Sequence, residues 1–341
     1  MTDWTIIIEK AILVVSIFGI SLVVAMYSTY GERKIAAFFQ DRVGPNRAGP
    51  FGLLQPLADG GKMFFKEEFI PDKSTKWLFI MGPGIAMLTA CMTSAVIPWG
   101  PDVVLANRTI SLQVANPDIG ILYILGILSL GVFGMMIGGW ASNNKYSLYS
   151  AIRASSQVIS YELAMGLSII AIIMMTGSLS LSDIVASQHG INWNIFYQPL
   201  GFVIFMTTAL AECNRAPFDM AECETELISG HHTEDSSMKL GFFLFAEYIN
   251  MFVSSAIIAT LFFGGYNFPG MDSIHNPILL STLGALVFFA KIFFFIFVFM
   301  WIRWTLPRFR YDQLMHLGWK MLIPLAIINM LLTGFFTLWF H

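Results

Sequence analysis

Residues 240–263 read LGFFLFAEYINMFVSSAIIATLFF, an apolar run interrupted by one carboxylate, Glu247. About 20 such residues in a helix cross the ~30 Å hydrocarbon core of a bilayer, so the stretch predicts a transmembrane helix. The carboxylate inside it asks for an explanation. A charge at mid-bilayer costs at least ~2.5–3.5 kcal/mol and needs a partner, a wet cavity or a neutral state.

Seven further stretches of this kind flank it: Ala11 to Tyr30, Trp77 to Trp99, Ile119 to Ala141, Ile159 to Thr176, Ile195 to Ala211, Ile278 to Ile302 and Met321 to Phe340. The one at 195–211 is short and carries Pro199 near its start, where a helix tolerates proline best. The expected fold is an all-α polytopic membrane protein, eight transmembrane helices forming a single membrane domain over 1–341. Composition agrees: 56% of residues are hydrophobic, 12% are charged and the mean hydropathy is +0.68, too apolar a balance for a soluble domain of this size. Met1 to Lys10 carries Asp3 and Glu9 in place of a basic leader, so the first span is expected to be retained as an anchor.

Lys and Arg collect on the cytoplasmic side of membrane proteins, and eight spans sort the cations of this chain that way. Arg33, Lys34, Arg42, Arg47, Lys62, Lys66, Lys73, Lys76, Lys145, Arg153, Arg215, Lys239, Arg303, Arg308, Arg310 and Lys320 fall on one side, with only Lys10 and Arg108 on the other. Both termini are therefore expected to face away from the cytoplasm. The net charge of −3 suggests no nucleic-acid partner. Cys91, Cys213 and Cys223 show no C-x-x-C and no ligand spacing, so free thiols are expected, with no iron–sulfur cluster and no metal.

Two cytoplasmic segments stand out. In 31–76, the stretch Pro56 to Lys66 places Leu57, Ala58, Gly61 and Phe65 on one helical face and Asp59, Lys62 and Lys66 on the other. That pattern fits an amphipathic helix along the membrane surface or a helix that caps the bundle. Segment 214–238 is acidic: Asp219, Glu222, Glu224, Glu226, Glu234 and Asp235 stand against Arg215 alone. His231 and His232 lie among these acids, but adjacent histidines in a turn are usually solvated, and no metal is expected there.

Inside the spans lie Glu162, Glu212, Glu247 and, opposite in sign, Lys291. Sequence position puts Glu162 near the start of its span, Glu212 at the end of the next and Glu247 about two turns into the one after. If these spans are neighbours, the three carboxylates form a polar track whose protonation can change with conformation, which is what a proton relay requires. The alternative is that each glutamate snorkels or satisfies a buried cation.

Several motifs, in order along nearly the whole chain, carry a resemblance: Gly31-Glu32-Arg33-Lys34, Asp41-Arg42-Val43-Gly44-Pro45-Asn46-Arg47, Ile159-Ser160-Tyr161-Glu162, Asn214-Arg215-Ala216-Pro217-Phe218-Asp219, Ala246-Glu247-Tyr248 and Leu306-Pro307-Arg308-Phe309-Arg310-Tyr311-Asp312. Together they resemble the family of the bacterial NADH–quinone oxidoreductase H subunit, the counterpart of mitochondrial complex I subunit 1. The resemblance implies eight spans with a surface helix after the first, in a bacterial cytoplasmic membrane with periplasmic termini. It implies a subunit that joins membrane and peripheral arms and forms the membrane side of a quinone cavity. Quinone is then the substrate, while FMN and iron–sulfur clusters belong to partner subunits. Residue by residue, Glu162, Glu212 and Glu247 resemble the family's proton-linked glutamates, and Asp219, Glu222, Glu224 and Glu226, with Arg215 beside them, its acidic loop. Glu32, Arg33, Arg42, Ala58 and Lys62 resemble the quinone portal. Thr233-Glu234-Asp235-Ser236 departs from the family, which usually has an aromatic after Thr-Glu. A membrane anchor of a homologous ion-pumping hydrogenase or ferredoxin-linked complex would share the buried glutamates without quinone reduction. A self-sufficient ion-coupled transporter is a further alternative, against which stands the lack of evident inverted repeats.

Overall fold

The computed structural model describes all residues except 1–2, 106–107, 222–223, 272–273, 275 and 341. In chain order the helices are α1 (Asp3–Phe39), α2 (Gln55–Phe65), α3 (Lys76–Thr93), α4 (Gly120–Ala141), α5 (Lys145–Thr176), α6 (Leu181–Ser187), α7 (Asn194–Tyr197), α8 (Pro199–Glu212), α9 (Glu224–Leu227), α10 (Ser237–Phe262), α11 (Pro277–Thr305), α12 (Tyr311–His316) and α13 (Ile323–Phe340). Between α3 and α4, strands β1 (Val103–Leu105) and β2 (Arg108–Ile110) form a short antiparallel hairpin. Residues Leu317–Leu322 are π-helical and join α12 to α13.

Among the described residues, seven helical stretches are long and apolar enough to cross a membrane: Ile6–Phe39, Lys76–Val96, Gly120–Ala141, Lys145–Thr176, Ser237–Phe262, Pro277–Thr305 and Tyr311–Trp339. The expected eighth differs. Residues 195–211 are divided between α7 and the 14-residue α8, and 14 residues of helix reach only ~21 Å. Pro199 takes the first helical position of α8, where its missing N–H costs nothing.

Two helices run past the limits that hydropathy suggests. α1 continues nine residues beyond Tyr30, so the Gly-Glu-Arg-Lys motif at 31–34 is helical and the connecting segment begins at Gln40. α5 begins at Lys145, 14 residues before Ile159, and the side chain of Asn144 caps it by accepting from the Tyr146 N–H at 2.9 Å. Hydropathy marks where lipid contact ends, and the polar first turns of α5 face protein. Glu162 accordingly lies at the middle of α5 and not near its start.

α2 turns the apolar face read from the sequence outward, as a helix along a membrane surface would: Leu57 and Phe65 are 55 and 94% exposed. The inward face carries Pro56, Asp59, Gly60 and Met63, at i, i+3, i+4 and i+7, against α1 and α10.

α10 is the most enclosed of the long helices and α1 the least. α3 and α4 meet through small residues, since lipid tails give apolar side chains little reason to leave them and close backbone contact must supply the attraction. Gly82 and Ala86 of α3 lie on Gly134 and Gly138 of α4: a Cβ on Gly82 would stand 2.8 Å from the Gly138 Cα, and one on Gly134 2.9 Å from the Ala86 N. Gly82→Ala is expected to force the helices apart and destabilise the chain by about 1–3 kcal/mol, read as a lower thermal midpoint in detergent. Gly84→Ala, whose new Cβ meets open space, should leave the midpoint unchanged.

Candidate functional site

α8 ends inside the bundle. Glu212 and Asn214 share a cavity with Glu247 and Asn250 of α10, and Cys213 Sγ lies 3.6 Å from Ser254 Oγ, well along the same helix. The chain then continues without helix through buried positions Asn214, Arg215, Phe218, Asp219, Met220 and Ala221, each 6% exposed or less. Irregular backbone buried in protein survives only if its N–H and C=O groups find partners. α5 supplies them in ascending order toward its own N-terminus. Gln157 Nε2 donates to the carbonyls of Ala211 at 3.2 Å and Phe218 at 2.6 Å, Ser150 Oγ to Ala221 O at 2.9 Å, and Ser147 Oγ to His231 O at 2.5 Å. The acidic segment is thus laid along the first four turns of α5, where the sequence suggested a loop at the surface.

The segment's acids are paired from elsewhere. Arg308 Nη2 donates to Asp219 Oδ2 at 2.6 Å, Arg153 pairs with Glu226, and Asn144 Nδ2 donates to Glu234 at 2.7 Å. Arg215, the one cation of this segment, reaches Glu32 at 3.6 Å and Glu247 at 3.3 Å, and its guanidinium stands 4.0 Å from the Tyr248 ring centroid. Glu32 also meets Arg303 at 2.6 Å and accepts from Tyr248 Oη at 2.9 Å. Helices α1, α10 and α11 are therefore tied through one cluster. Glu222 and Cys223 lie outside the described residues, and Glu224 lies in α9.

Besides a pocket of about 10 Å³ at the cluster itself, lined by Glu32, Arg215 and Arg303, two cavities flank it. One, of about 180 Å³, lies between α1, α2 and α10 and is lined by Glu32, Arg33, Asp59 and Tyr248 with Met26, Met63 and Phe245 among the apolar walls. Arg33 and Asp59 close part of it with an ion pair of 2.8 Å. The other, of about 40 Å³, is lined by Glu212, Glu247, Asn214, Asn250, His231 and Thr89, room for about two or three waters. Glu162 of α5 accepts a hydrogen bond from Ser129 of α4.

Four expected site residues are not brought here. Arg42, Ala58 and Lys62 are exposed and line neither cavity. Lys291 does not face the glutamates: its Nζ donates to the carbonyls of Phe263, Gly265 and Asn267 at 2.7, 2.8 and 2.7 Å and lies 5.0 Å from the Trp193 ring centroid. It caps the carbonyl end of α10, where the helix dipole favours a cation.

The family described as NADH dehydrogenase matches residues 11–334. The chain belongs to the NADH dehydrogenase family. It is 63% identical, over 96% of each chain, to an NADH-quinone oxidoreductase H subunit of Cytophaga hutchinsonii. It is 62% identical to the H subunit of the same enzyme from Flavobacterium psychrophilum, over 97% of this chain and 98% of the relative, and 48% identical to that of Leptospira biflexa, over 99% and 97%. The motif resemblance is borne out, and this NADH dehydrogenase chain is a subunit of a membrane-bound enzyme complex.

Sequence reasoning on this NADH dehydrogenase chain missed Arg303, Tyr248, Gln157 and Ser129 as site residues. Arg303 sits in the last turn of a span, where snorkelling to the interface explains a cation equally well. Among the described residues no group of three or more His, Cys, Asp or Glu gathers as a metal site. Burial pushes His231 and His232 down to about 3 and about 4, so both rings are neutral near pH 7.

Arg215→Met takes a buried cation away from Glu247 and Glu32, and should destabilise the protein by about 3–5 kcal/mol. The thermal midpoint checks this, and Arg215→Lys should recover only part of the loss because the planar group over Tyr248 is gone. Burial, with help from Glu234 and against the pull of Lys239, pushes the Asp235 carboxyl up to about 7. The folded chain holds that proton more tightly than the unfolded chain, so its stabilising effect is full below about pH 4 and is lost as pH rises toward about 7. Asp235→Asn should therefore gain thermal midpoint over the native chain progressively from pH 4 to pH 8, and show no gain at pH 4.

Proposed function

We propose that the chain is the membrane subunit of a proton-pumping NADH:quinone oxidoreductase that forms the membrane part of the quinone cavity and couples quinone reduction to proton movement through buried glutamates. The observation that carries this reading is the position of Arg215 between the two cavities. On one side it meets Glu32, which lines the larger cavity; on the other it meets Glu247, which lines the smaller one with Glu212. One guanidinium shared by two carboxylates transmits charge: a proton gained on either acid strengthens the hold of Arg215 on the other.

In this reading the quinone tail enters between α1, α2 and α10, with the outward apolar face of α2 in the bilayer and Arg42, Ala58 and Lys62 at the mouth. Glu32 and Arg33 line the passage, and Asp219, Glu222, Glu224 and Glu226 supply the acidic loop of the headgroup site. Glu162, Glu212 and Glu247 form the proton relay. α8 acts as the eighth span, shorter than the other seven. Segments 31–76 and 214–238 belong to the cytoplasmic side of a bacterial inner membrane, and both termini to the periplasmic side. Electrons reach quinone from FMN and iron–sulfur clusters held by partner subunits, and Lys291 serves as a helix cap outside the relay.

Glu212→Gln in the assembled complex tests the relay. Quinone reduction and proton pumping should both fall about 10²-fold or more, as the loss of a positioned proton-transfer group predicts, with the amount of complex unchanged. Native rates in membranes would sink the reading.

A further inference from the structure

His231 comes from the far end of the acidic segment, yet it lines the carboxylate cavity together with Glu212, Asn214, Glu247 and Asn250. It is 2% exposed and held on every side. Its carbonyl accepts from Ser147, its N–H donates to Ala221 O at 3.3 Å, and its ring packs edge-on with His232 and Phe243 at centroid distances of 4.6 and 4.8 Å.

The tautomer follows from chemistry. Nδ1 lies 3.3 Å from Ala221 O, and a carbonyl can only accept, so Nδ1 carries the ring proton. In a neutral imidazole the other nitrogen, Nε2, is then a bare acceptor. Nε2 is buried without a protein partner among the described residues, and so are Glu212 Oε2, Asn214 Oδ1 and Asn250 Oδ1. These four atoms belong to residues around one cavity of about 40 Å³. A buried water needs two to four polar partners, and this wall supplies them.

We propose that Nε2 of His231 accepts a hydrogen bond from a water bound in this cavity, and that His231 thereby positions the water that hydrates Glu212. His231 is a positioning residue through which the acidic segment orients the relay's hydration. The titratable groups facing it are Glu212 from α8, Glu247 from α10 and His232 from its own segment. α3 and α4 add Ala86, Thr89, Leu128, Gly131, Val132 and Met135 to the wall, none of them titratable at neutral pH. This inference rests on the relay reading, and the tests separate the two.

The first measurement is a structure of the native assembled complex at a resolution that shows water. A water within hydrogen-bond distance of Nε2 and of Glu212 supports the proposal, and a dry Nε2 overturns it. The second compares His231→Phe, which keeps a ring but no acceptor, with His231→Gln, whose amide can place an oxygen near the Nε2 position. Protons pumped per quinone reduced should fall about two- to tenfold in the Phe variant, as one lost hydrogen bond predicts, with a shifted pH profile, and the Gln variant should recover most of it. A Phe variant with native pumping and pH profile overturns the proposal. If Glu212→Gln lowers pumping and His231→Phe does not, only the role of His231 falls. If Glu212→Gln leaves pumping intact, the relay falls, and the water at Nε2 still decides whether His231 binds it.

Discussion

Unhelical backbone buried in a membrane bundle must have its polar groups satisfied by neighbours, and here one helix does most of that work. Gln157, Ser150 and Ser147 of α5 hold carbonyls of residues 211, 218, 221 and 231. Each is a single net hydrogen bond of about 1 kcal/mol, but leaving the buried carbonyl unmet would cost about 1–3 kcal/mol. The remaining architecture depends on this contact. Because the segment is held along α5, α8 can stop short, Glu212 can end inside the protein, and Arg215 can reach α1 and α10 together.

The same helix connects the segment to the interior acids. α5 carries the segment's hydrogen-bond donors in its first turns and Glu162 further along. A rigid helix with both on it moves them as one body. The cluster of Glu32, Arg215, Glu247, Tyr248 and Arg303 ties α1, α10 and α11 to the same segment. Buried ion pairs of this kind are weak sources of stability but costly to break on one side.

Much of this is legible in the sequence. The long apolar runs mark the spans, and the expense of charge in lipid singles out Glu162, Glu212 and Glu247. Helix ends are not legible, because the polar face of Lys145 to Val158 is turned to protein and carries no hydropathy signal. The orientation of α2 escapes the sequence for a related reason. Apolar residues face the core when the outside is water, whereas in a membrane setting the outside is equally apolar and Asp59 turns inward to Arg33. The partners of Arg215 and Lys291 depend on long-range geometry that local spacing does not encode.

Lys291 shows what such geometry can fix. Each of its three ammonium protons is committed to a carbonyl beyond the end of α10, so none is free to be handed on. Releasing it would strand three acceptors and sacrifice charge-assisted bonds worth about 1.5–3 kcal/mol apiece. The far end of α10 is therefore clamped by a cation whose every donor is spent, which fixes the turn through Gly265 and Asn267 to α11.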